Sequence, residues 1–261
     1  MTHAAIAQHV RGLEDHFSTR LLERAGRGMA PTEAGEALAE GLNEGFGQIV
    51  MTARDLLDGQ QDRPLRVSLT PTFASNWLMP RLKQFWQAHP EIRVELLPTT
   101  KVIDMRKEGV DLAIRFGTGG WPGVEAEHFM QANWSVVGSP DLLKGRKVEA
   151  LKDACDLTFL MELGNQEEVR WLERHGVAPS EVRMEPFHTV DLALDAAFNG
   201  VGVTMLSTPV AQHAVAAGRL EALFEETDSP QAYHLVTRPG TVSEQRKTFI
   251  RWLRRQVAAE T

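Results

Sequence analysis

The chain lacks the features that mark secreted, membrane-spanning and disulfide-rich proteins. It contains one cysteine, Cys155, among 261 residues, which excludes an internal disulfide framework and a cysteine-rich zinc site. The N-terminal segment has no apolar stretch long enough for a signal peptide. No segment approaches the roughly 20 apolar residues of a membrane span. We therefore expect a soluble, cytoplasmic protein.

Motifs of common enzymes are also missing. No G-x-S-x-G, H-E-x-x-H or Walker sequence is present, and the nine histidines are scattered without the spacing of metal ligands. The formal net charge of −7 excludes a polybasic nucleic-acid binder, although phosphate contacts need only a few well-placed basic side chains. We predict no enzymatic activity, no cofactor and no metal.

The N-terminal residues have the periodicity of an amphipathic helix. Apolar side chains recur every three or four positions over residues 2–17, at Ile6, Val10, Leu13 and Phe17. The candidate DNA contacts on this helix are Thr2, His3, Gln8, His9 and Arg11. Gln and Arg side chains can read base edges, and Thr and His can bond phosphates. The same polar residues are equally typical of the solvated face of a surface helix.

A turn-rich stretch and a long helix follow. Glycines flank Arg27 in residues 24–31, which suits a hairpin or wing. Arg24 and Arg27 are therefore candidate phosphate contacts, or else ordinary solvated charges. Thr32 has the side chain of an N-cap for a helix that extends to about residue 57. Such a helix is about 38 Å long, and its apolar stripe needs a partner, for which a second copy of the chain is the natural choice.

From residue 65 the pattern alternates between strands and helices. We predict strands at 65–70, 92–97, 111–115, 134–138, 157–161, 182–187, 202–206 and 232–237, and helices at 74–88, 103–108, 167–175, 192–199, 209–216 and 243–257. Two successive units of this kind argue for two parallel-sheet lobes. We expect the chain to cross between them near Ser139-Pro140, to return near Thr237, and to pack its closing helix on the first lobe.

Several segments, in a fixed order, carry a family resemblance. They are THAAIAQHVRGLE at 2–14, LLERAGRGMAPTEAG at 21–35, LTPTFASNWLMPRLKQFWQAHPEIRVEL at 69–96, EGVDLAIRFGTGGWPGVEAEHF at 108–129, NGVGVTML at 199–206 and AAGRL at 216–220. Together they resemble the LysR-type transcriptional regulators, and within them the glycine-cleavage-activator-like branch. The resemblance implies an α/β fold with a two-lobed, periplasmic-binding-protein-like effector domain, preceded by a partial winged helix-turn-helix and a long linker helix.

The resemblance also sets the expected domains. They are a partial winged helix-turn-helix at 1–31, a linker and dimerisation helix at 32–60 and an effector-binding domain at 61–261, with lobe 1 at about 64–139 and 238–261 and lobe 2 at about 140–237. The implied partners are promoter DNA, a small-molecule effector and further copies of the chain, as a homodimer or homotetramer through the linker helix and the effector domain. No membrane partner is expected.

One departure from the family pattern affects the DNA-binding prediction. Members of the family carry further helices before the recognition helix, whereas Met1 lies directly in front of it here. A recognition helix needs an upstream helix to brace it across the groove. We therefore expect this chain to bind operator DNA poorly, and tight sequence-specific binding in a gel-shift assay would contradict that. Two alternatives remain: a truncated paralogue that sequesters the ligand or poisons full-length partners, and an enzyme on the same scaffold.

Candidate effector contacts in the first lobe lie where strands end. Thr70, Thr72 and Phe73 occupy a strand-to-helix junction, with Thr72 as a candidate N-cap, and Thr99 follows the second strand. Such a junction suits an anion because it presents backbone N–H groups and the positive end of a helix dipole. Arg115 ends the third strand and either clamps a carboxylate or forms a salt bridge with Asp104 or Asp111.

The second lobe supplies the remaining candidates. Thr189 and Asp191 precede the helix at 192–199. We predict that Asp191 recognises an amino group while Thr72 and Arg115 hold an anion, so that the effector is amino-acid-like. Alternatively, Asp191 only stabilises the helix N-terminus. Trp134 opens a strand near the crossover and is placed either in the cleft or in the core.

Overall fold

The computed structural model describes residues 3–26, 28–57, 63–105, 107–239 and 243–259. The chain divides into an N-terminal unit, Met1–Asp62, and a C-terminal unit, Arg63–Thr261. Thr2 and Arg27, two of the predicted DNA contacts, lie outside the described residues. Within those residues, no helix is both long enough and apolar enough to cross a bilayer.

The N-terminal unit consists of two helices joined by a hairpin. Its elements are α1 (His3–Phe17), β1 (Leu22–Ala25), β2 (Gly28–Pro31) and α2 (Glu33–Leu57). β1 and β2 pair antiparallel, which confirms the predicted hairpin. The Thr32 hydroxyl accepts a hydrogen bond from Gly35 N at 3.1 Å, so the predicted N-cap is also confirmed.

One carboxylate ties α1 to the hairpin. Oε1 of Glu14 accepts hydrogen bonds from the backbone N–H groups of Leu21, at 2.8 Å, and Leu22, at 3.2 Å. These two bonds favour the charged carboxylate and hold the pKa of Glu14 below its ordinary value. Leu21 is buried, and its carbonyl accepts from Thr32 N at 3.0 Å. The β1–β2 hairpin is therefore hydrogen-bonded to α1 through Glu14 and to the start of α2 through Thr32.

The C-terminal unit alternates strands and helices. Its strands are β3 (Leu65–Leu69), β4 (Val94–Pro98), β5 (Leu112–Gly117), β6 (Glu125–Gln131), β7 (Trp134–Gly138), β8 (Thr158–Glu162), β9 (Arg183–Phe187), β10 (Val203–Ser207), β11 (Glu221–Glu225) and β12 (Ala232–Thr237). Its helices are α3 (Pro71–Phe73), α4 (Met79–Ala88), α5 (Pro140–Leu143), α6 (Gln166–Arg174), α7 (Val190–Phe198), α8 (Thr208–Ala216) and α9 (Glu244–Ala258), with a π-helical segment at Ala74–Leu78 and 3₁₀ turns at Leu151–Ala154 and Pro179–Glu181.

Two five-stranded sheets define the lobes. The first-lobe sheet has the order β4-β3-β5-β12-β6, and the second-lobe sheet has the order β11-β7-β10-β8-β9. The predicted lobe boundaries were wrong by one strand at each crossover. β7 pairs with β10 and β11, so the chain enters the second lobe before β7 rather than near Ser139. β12 pairs with β5 and β6, so the chain has returned before β12 rather than near Thr237.

Most predicted elements are present, with three local corrections. The helix predicted at 103–108 is wrong for the described residues there, which form turns and irregular backbone; Gly109, with φ of +64°, follows them. Two strands were not predicted, β6 and β11. The first five residues of the helix predicted at 74–88 are π-helical, with backbone bonds shifted by one residue, and α4 follows from Met79.

The closing helix completes the first core. α9 packs on α4 through Phe249 and Trp252, whose rings lie 4.9 and 5.1 Å from the ring of Phe85. All three side chains are buried. This confirms that the closing helix lies on the first lobe. The second lobe has its own core, around the fully buried Phe159 and Trp171.

Gly202 lies directly before β10, and the neighbouring backbone leaves no room there for a side chain. A methyl group there would lie 2.3 Å from the Thr158 carbonyl oxygen, whereas one at Gly138 would first meet Val203 Cγ1, at 3.1 Å. We expect Gly202→Ala to lower the free energy of unfolding by about 1–3 kcal/mol. Gly138→Ala should cost less, because a side chain can shift more easily than a paired backbone. Urea denaturation measures both, and equal losses would contradict the steric explanation.

Candidate effector-binding cleft

A cleft of about 340 Å³ lies between the two sheets of the C-terminal unit. The first lobe contributes Thr70, Pro71, Thr72, Thr99, Thr100 and Lys101. The second lobe contributes Glu162, Asn165, Glu168, His188, Thr189 and Asp191. Both groups lie at the ends of strands or the starts of helices, where open α/β sheets place ligand-binding residues.

The structure brings most of the predicted effector contacts together. Thr70, Thr72, Thr99, Trp134, Thr189 and Asp191 all line the cleft. Their contact with an effector stays a prediction. The N-cap of α3 is Thr70 rather than Thr72, so the predicted capping role of Thr72 is wrong. Thr189 is the N-cap of α7, and its hydroxyl accepts from Leu192 N at 3.3 Å.

Phe73 and Arg115 do not line the cleft. Phe73 is fully buried, and its ring lies 4.5 Å from that of Tyr233. Arg115 lies on the opposite face of the first sheet, because successive side chains of β5 alternate and its neighbour Phe116 faces the cleft. The Arg115 guanidinium donates to the Ser68 hydroxyl at 2.8 Å. The predicted alternative partner, Asp111, instead accepts from Arg63 and from Arg66 N.

A hydrogen bond crosses the cleft. The Thr72 hydroxyl, in α3 of the first lobe, donates to Asp191 Oδ2, in the first turn of α7 in the second lobe, at 3.2 Å. Asn76 Nδ2 donates to the Thr72 carbonyl at 3.0 Å and holds this turn. Burial raises the pKa of Asp191 above its ordinary value, although the Thr72 bond acts in the opposite direction. The two lobes are therefore linked at the site predicted to recognise the effector.

Two further carboxyl groups line the second-lobe wall. Glu168 is only 3% exposed, and its Oε2 accepts a hydrogen bond from Glu162 N at 3.0 Å. Burial raises the pKa of Glu168 to about 7. Burial also raises the pKa of Glu162, whose Oε2 accepts from Asn165 Nδ2 at 3.4 Å. Sequence reasoning missed both residues. Asn165 and Glu168 have the spacing of a capping box, which predicts a purely local role.

The floor of the cleft is aromatic with a polar pair. The hydroxyls of Tyr233 and Ser207 lie 2.8 Å apart, both buried, and burial raises the pKa of Tyr233. Trp134 packs edge-on against Phe116 at a ring distance of 5.0 Å. Its indole N–H has no acceptor among the described residues. The floor thus offers apolar contact and hydroxyl groups to a ligand.

The predicted DNA contacts that the structure describes are accessible. Gln8, His9 and Arg11 are exposed on α1, and Arg24 is exposed on β1. His3 begins α1, and its side chain lies outside the described residues. Accessibility fits both nucleic-acid contact and a solvated surface, so the assignment of these residues to DNA stays a prediction.

Comparison with known proteins agrees with both units. Residues 1–36 match the model of the bacterial regulatory helix-turn-helix proteins of the LysR family, and residues 58–258 match the LysR substrate-binding domain. The chain is 37% identical to the AhcY transcriptional activator HvrB of Rhodobacter capsulatus, over 97% of this chain and 87% of that protein. It is 31% identical to the glycine cleavage system transcriptional activator of Escherichia coli K12, over 100% of this chain and 87% of that protein.

A solved structure extends the likeness to three dimensions. The effector domain of the regulator AmpR of Pseudomonas aeruginosa superposes with a TM-score of 0.62 and 29% identity, covering 75% of this chain and 95% of that one. The matched share corresponds in size to the two-lobed C-terminal unit. The chain therefore belongs to the LysR family of bacterial transcriptional regulators.

Proposed function

We propose that the cleft binds a small effector that carries both an amino group and an anionic or hydrogen-bond-accepting group, and that its binding controls transcription. The observation that carries this proposal is the division of charge across the cleft. Threonines and Lys101 line the first-lobe side, whereas the carboxyl-bearing residues Glu162, Glu168 and Asp191 line the second-lobe side. An amino-acid-like molecule has the same division of charge.

The second lobe supplies acceptors for the amino group. Asp191 and Glu162 both line the cleft and are partly buried, so their interaction with a cation is less screened than at a free surface. Burial disfavours their charged forms, and a bound ammonium group would relieve that cost. This arrangement favours a cationic group over a second carboxylate at this wall.

The first lobe supplies donors for the other end of the ligand. Thr70 occupies the N-cap position of α3 without a side-chain capping bond, and Thr99 and Thr100 follow β4. We assign to Lys101, which lines the cleft, the cationic role predicted for Arg115, because Arg115 lies on the other face of the sheet. A carboxylate beside these groups would receive charge-assisted hydrogen bonds.

Control of transcription requires a second state. Because Thr72 and Asp191 are already bonded across the cleft, a ligand that takes over the Asp191 carboxylate must break or replace this link. The lobes would then change their relative position. Such a ligand shifts the equilibrium only if it binds the two states with different affinity. The named relatives are activators, and we propose activation for this chain as well.

The long helix α2 supports a homo-oligomer. Leu42, Phe46 and Ile49 follow one another at helical spacing and are 44–63% exposed. A contiguous apolar stripe of this kind is usually covered by a partner helix, and a second copy of the chain offers an identical stripe. A partner-poisoning module would use the same surface, so dimerisation alone does not separate that alternative from a regulator.

The effector class can be tested by thermal-shift titration of the protein. We expect some L-amino acids or short peptides to raise Tm, and their deamino and decarboxy analogues to have no effect, because each analogue leaves one wall of the cleft unsatisfied. Product analysis of the same samples should find the ligand unchanged. Stabilisation by deamino analogues that equals that of the parent molecules would refute the amino-group assignment, and ligand turnover would indicate an enzyme.

A further inference from the structure

The outer face of the first-lobe sheet, opposite the cleft, holds a half-buried cation. Arg115 donates hydrogen bonds to the Ser68 hydroxyl, at 2.8 Å, and to the Ile114 carbonyl, at 3.3 Å. No ion pair with a carboxylate of the described residues involves it. Burial lowers the pKa of the guanidinium. A desolvated charge without a counter-ion is costly.

Two histidines lie in a row with Arg115 on the same face of the sheet. His234 of β12 lies directly opposite Arg115 of β5 and directly opposite His128 of β6. Directly opposed residues of antiparallel strands share a face and have neighbouring Cβ atoms. The two imidazole rings are 6.0 Å apart. The row therefore places three nitrogen-rich side chains on adjacent strands, with His128 exposed at its open end.

The middle member of the row is held in place but incompletely bonded. His234 is 8% exposed, and its Nδ1 has no hydrogen-bond partner of normal geometry among the described residues. The Trp121 ring lies 5.4 Å away, edge-on. A methyl group at Gly119 would lie 2.8 Å from His234 Nε2, so this glycine lets the following loop lie against the imidazole. Buried polar atoms of this kind normally find a partner.

We propose that Arg115, His234 and His128 form a binding site for a small oxyanion, a phosphate or a carboxylate, separate from the effector cleft. An oxyanion supplies the counter-charge that Arg115 lacks, and a guanidinium binds such groups with paired, directional hydrogen bonds. The oxyanion also offers an acceptor to the exposed imidazole of His128, whose ring lies beside that of His234. Burial has the largest effect and lowers the pKa of His234, a backbone hydrogen bond with Ala232 raises it, and the neighbouring His128 lowers it. A bound anion would raise it. Glu108 acts on Arg115 electrostatically without forming an ion pair with it.

The site can be tested with inorganic phosphate. Phosphate is titrated into the full chain at constant ionic strength and pH 6.5. Calorimetry measures the affinity, and NMR spectra record the ring resonances of the histidines during the titration. We expect saturable binding with shifts of the His128 and His234 resonances, and an affinity about 10-fold lower in Arg115→Gln and in His128→Gln. A parallel titration with acetate shows whether carboxylates occupy the same site.

The controls separate this site from the cleft and from folding defects. Arg183→Gln removes an exposed arginine of the second lobe and should leave phosphate binding unchanged, as should Asp191→Asn in the cleft. His128 is exposed, so its variant tests the proposal even if Arg115→Gln lowers Tm. Unchanged affinity in His128→Gln together with unmoved histidine resonances would overturn the proposal, whatever the outcome for the effector cleft.

Discussion

Replacing Asp191 by asparagine is expected to weaken effector binding by about 10- to 100-fold, as measured by calorimetry with a ligand from the thermal-shift experiment. The estimate corresponds to the loss of one hydrogen bond to a charged group, about 1.5–3 kcal/mol. Asparagine has nearly the same shape and can still accept from the Thr72 hydroxyl. The substitution therefore removes the charge that faces the cleft and keeps the link between the lobes.

The matched control is Asp195→Asn, one turn further along α7. Asp195 is exposed and does not line the cleft, so its substitution should leave affinity unchanged. The alternative role of Asp191, stabilising the N-terminus of α7, predicts a different result. In that case Asp191→Asn lowers Tm by a small amount and leaves ligand affinity at the wild-type value. Affinity equal to wild type would therefore remove Asp191 from the binding site.

The strand-to-helix junctions of the cleft were predictable from the sequence because they follow from local rules. A short apolar strand followed by Thr-Pro-Thr, and a Thr-Val-Asp run directly before an apolar helix, each predict a helix start whose polar residues lie near the end of a strand. Thr70, Thr72, Thr189 and Asp191 could be placed in this way. Neither rule depends on which strands pair with each other.

Arg115 was placed incorrectly because its position depends on the phase of a strand. Along β5 the side chains alternate between the cleft and the outer face, and a shift of one residue exchanges the two sets. Leu112, Ala113 and Ile114 are all buried, so the sequence has no polar alternation that would fix the phase. Arg115 and Phe116 were therefore equally possible cleft residues until the register of β5 was known.

The crossovers were misplaced because antiparallel edge pairing is not encoded locally. β6 is mostly exposed, and it belongs to the first sheet only through its long-range pairing with β12. β7 looks like a continuation of the first lobe in the sequence but pairs with β10. Only the pairing partners decide the lobe to which each strand belongs, and those partners are distant in the chain.

The acidic wall of the cleft leads to the second large prediction. Glu168 is buried and has its pKa raised to about 7 from an ordinary value of 4.5. In the unfolded chain it is charged above about pH 4.5, whereas in the folded protein it stays protonated until about pH 7. The folded state therefore binds the extra proton between these values, and stability falls as the pH rises through this window. A shift of this size corresponds to roughly 3 kcal/mol.

Glu168→Gln should remove that loss. Glutamine is neutral at every pH and can still accept the hydrogen bond from Glu162 N, so we expect the variant to match wild type near pH 4.5 and to exceed it by up to roughly 3 kcal/mol at pH 8. Urea unfolding between pH 4.5 and 8 measures the difference. Glu173→Gln, an exposed position on the same helix, should follow the wild-type profile. A constant difference between Glu168→Gln and wild type across this range would show that Glu168 ionises normally. At pH 8, where Glu168 is charged in the wild-type protein, the variant lacks one of the three carboxylates of the cleft wall. If the prediction holds, Glu168→Gln should therefore bind an amino-bearing effector less tightly than wild type at this pH, with only Asp191 and Glu162 as charged acceptors.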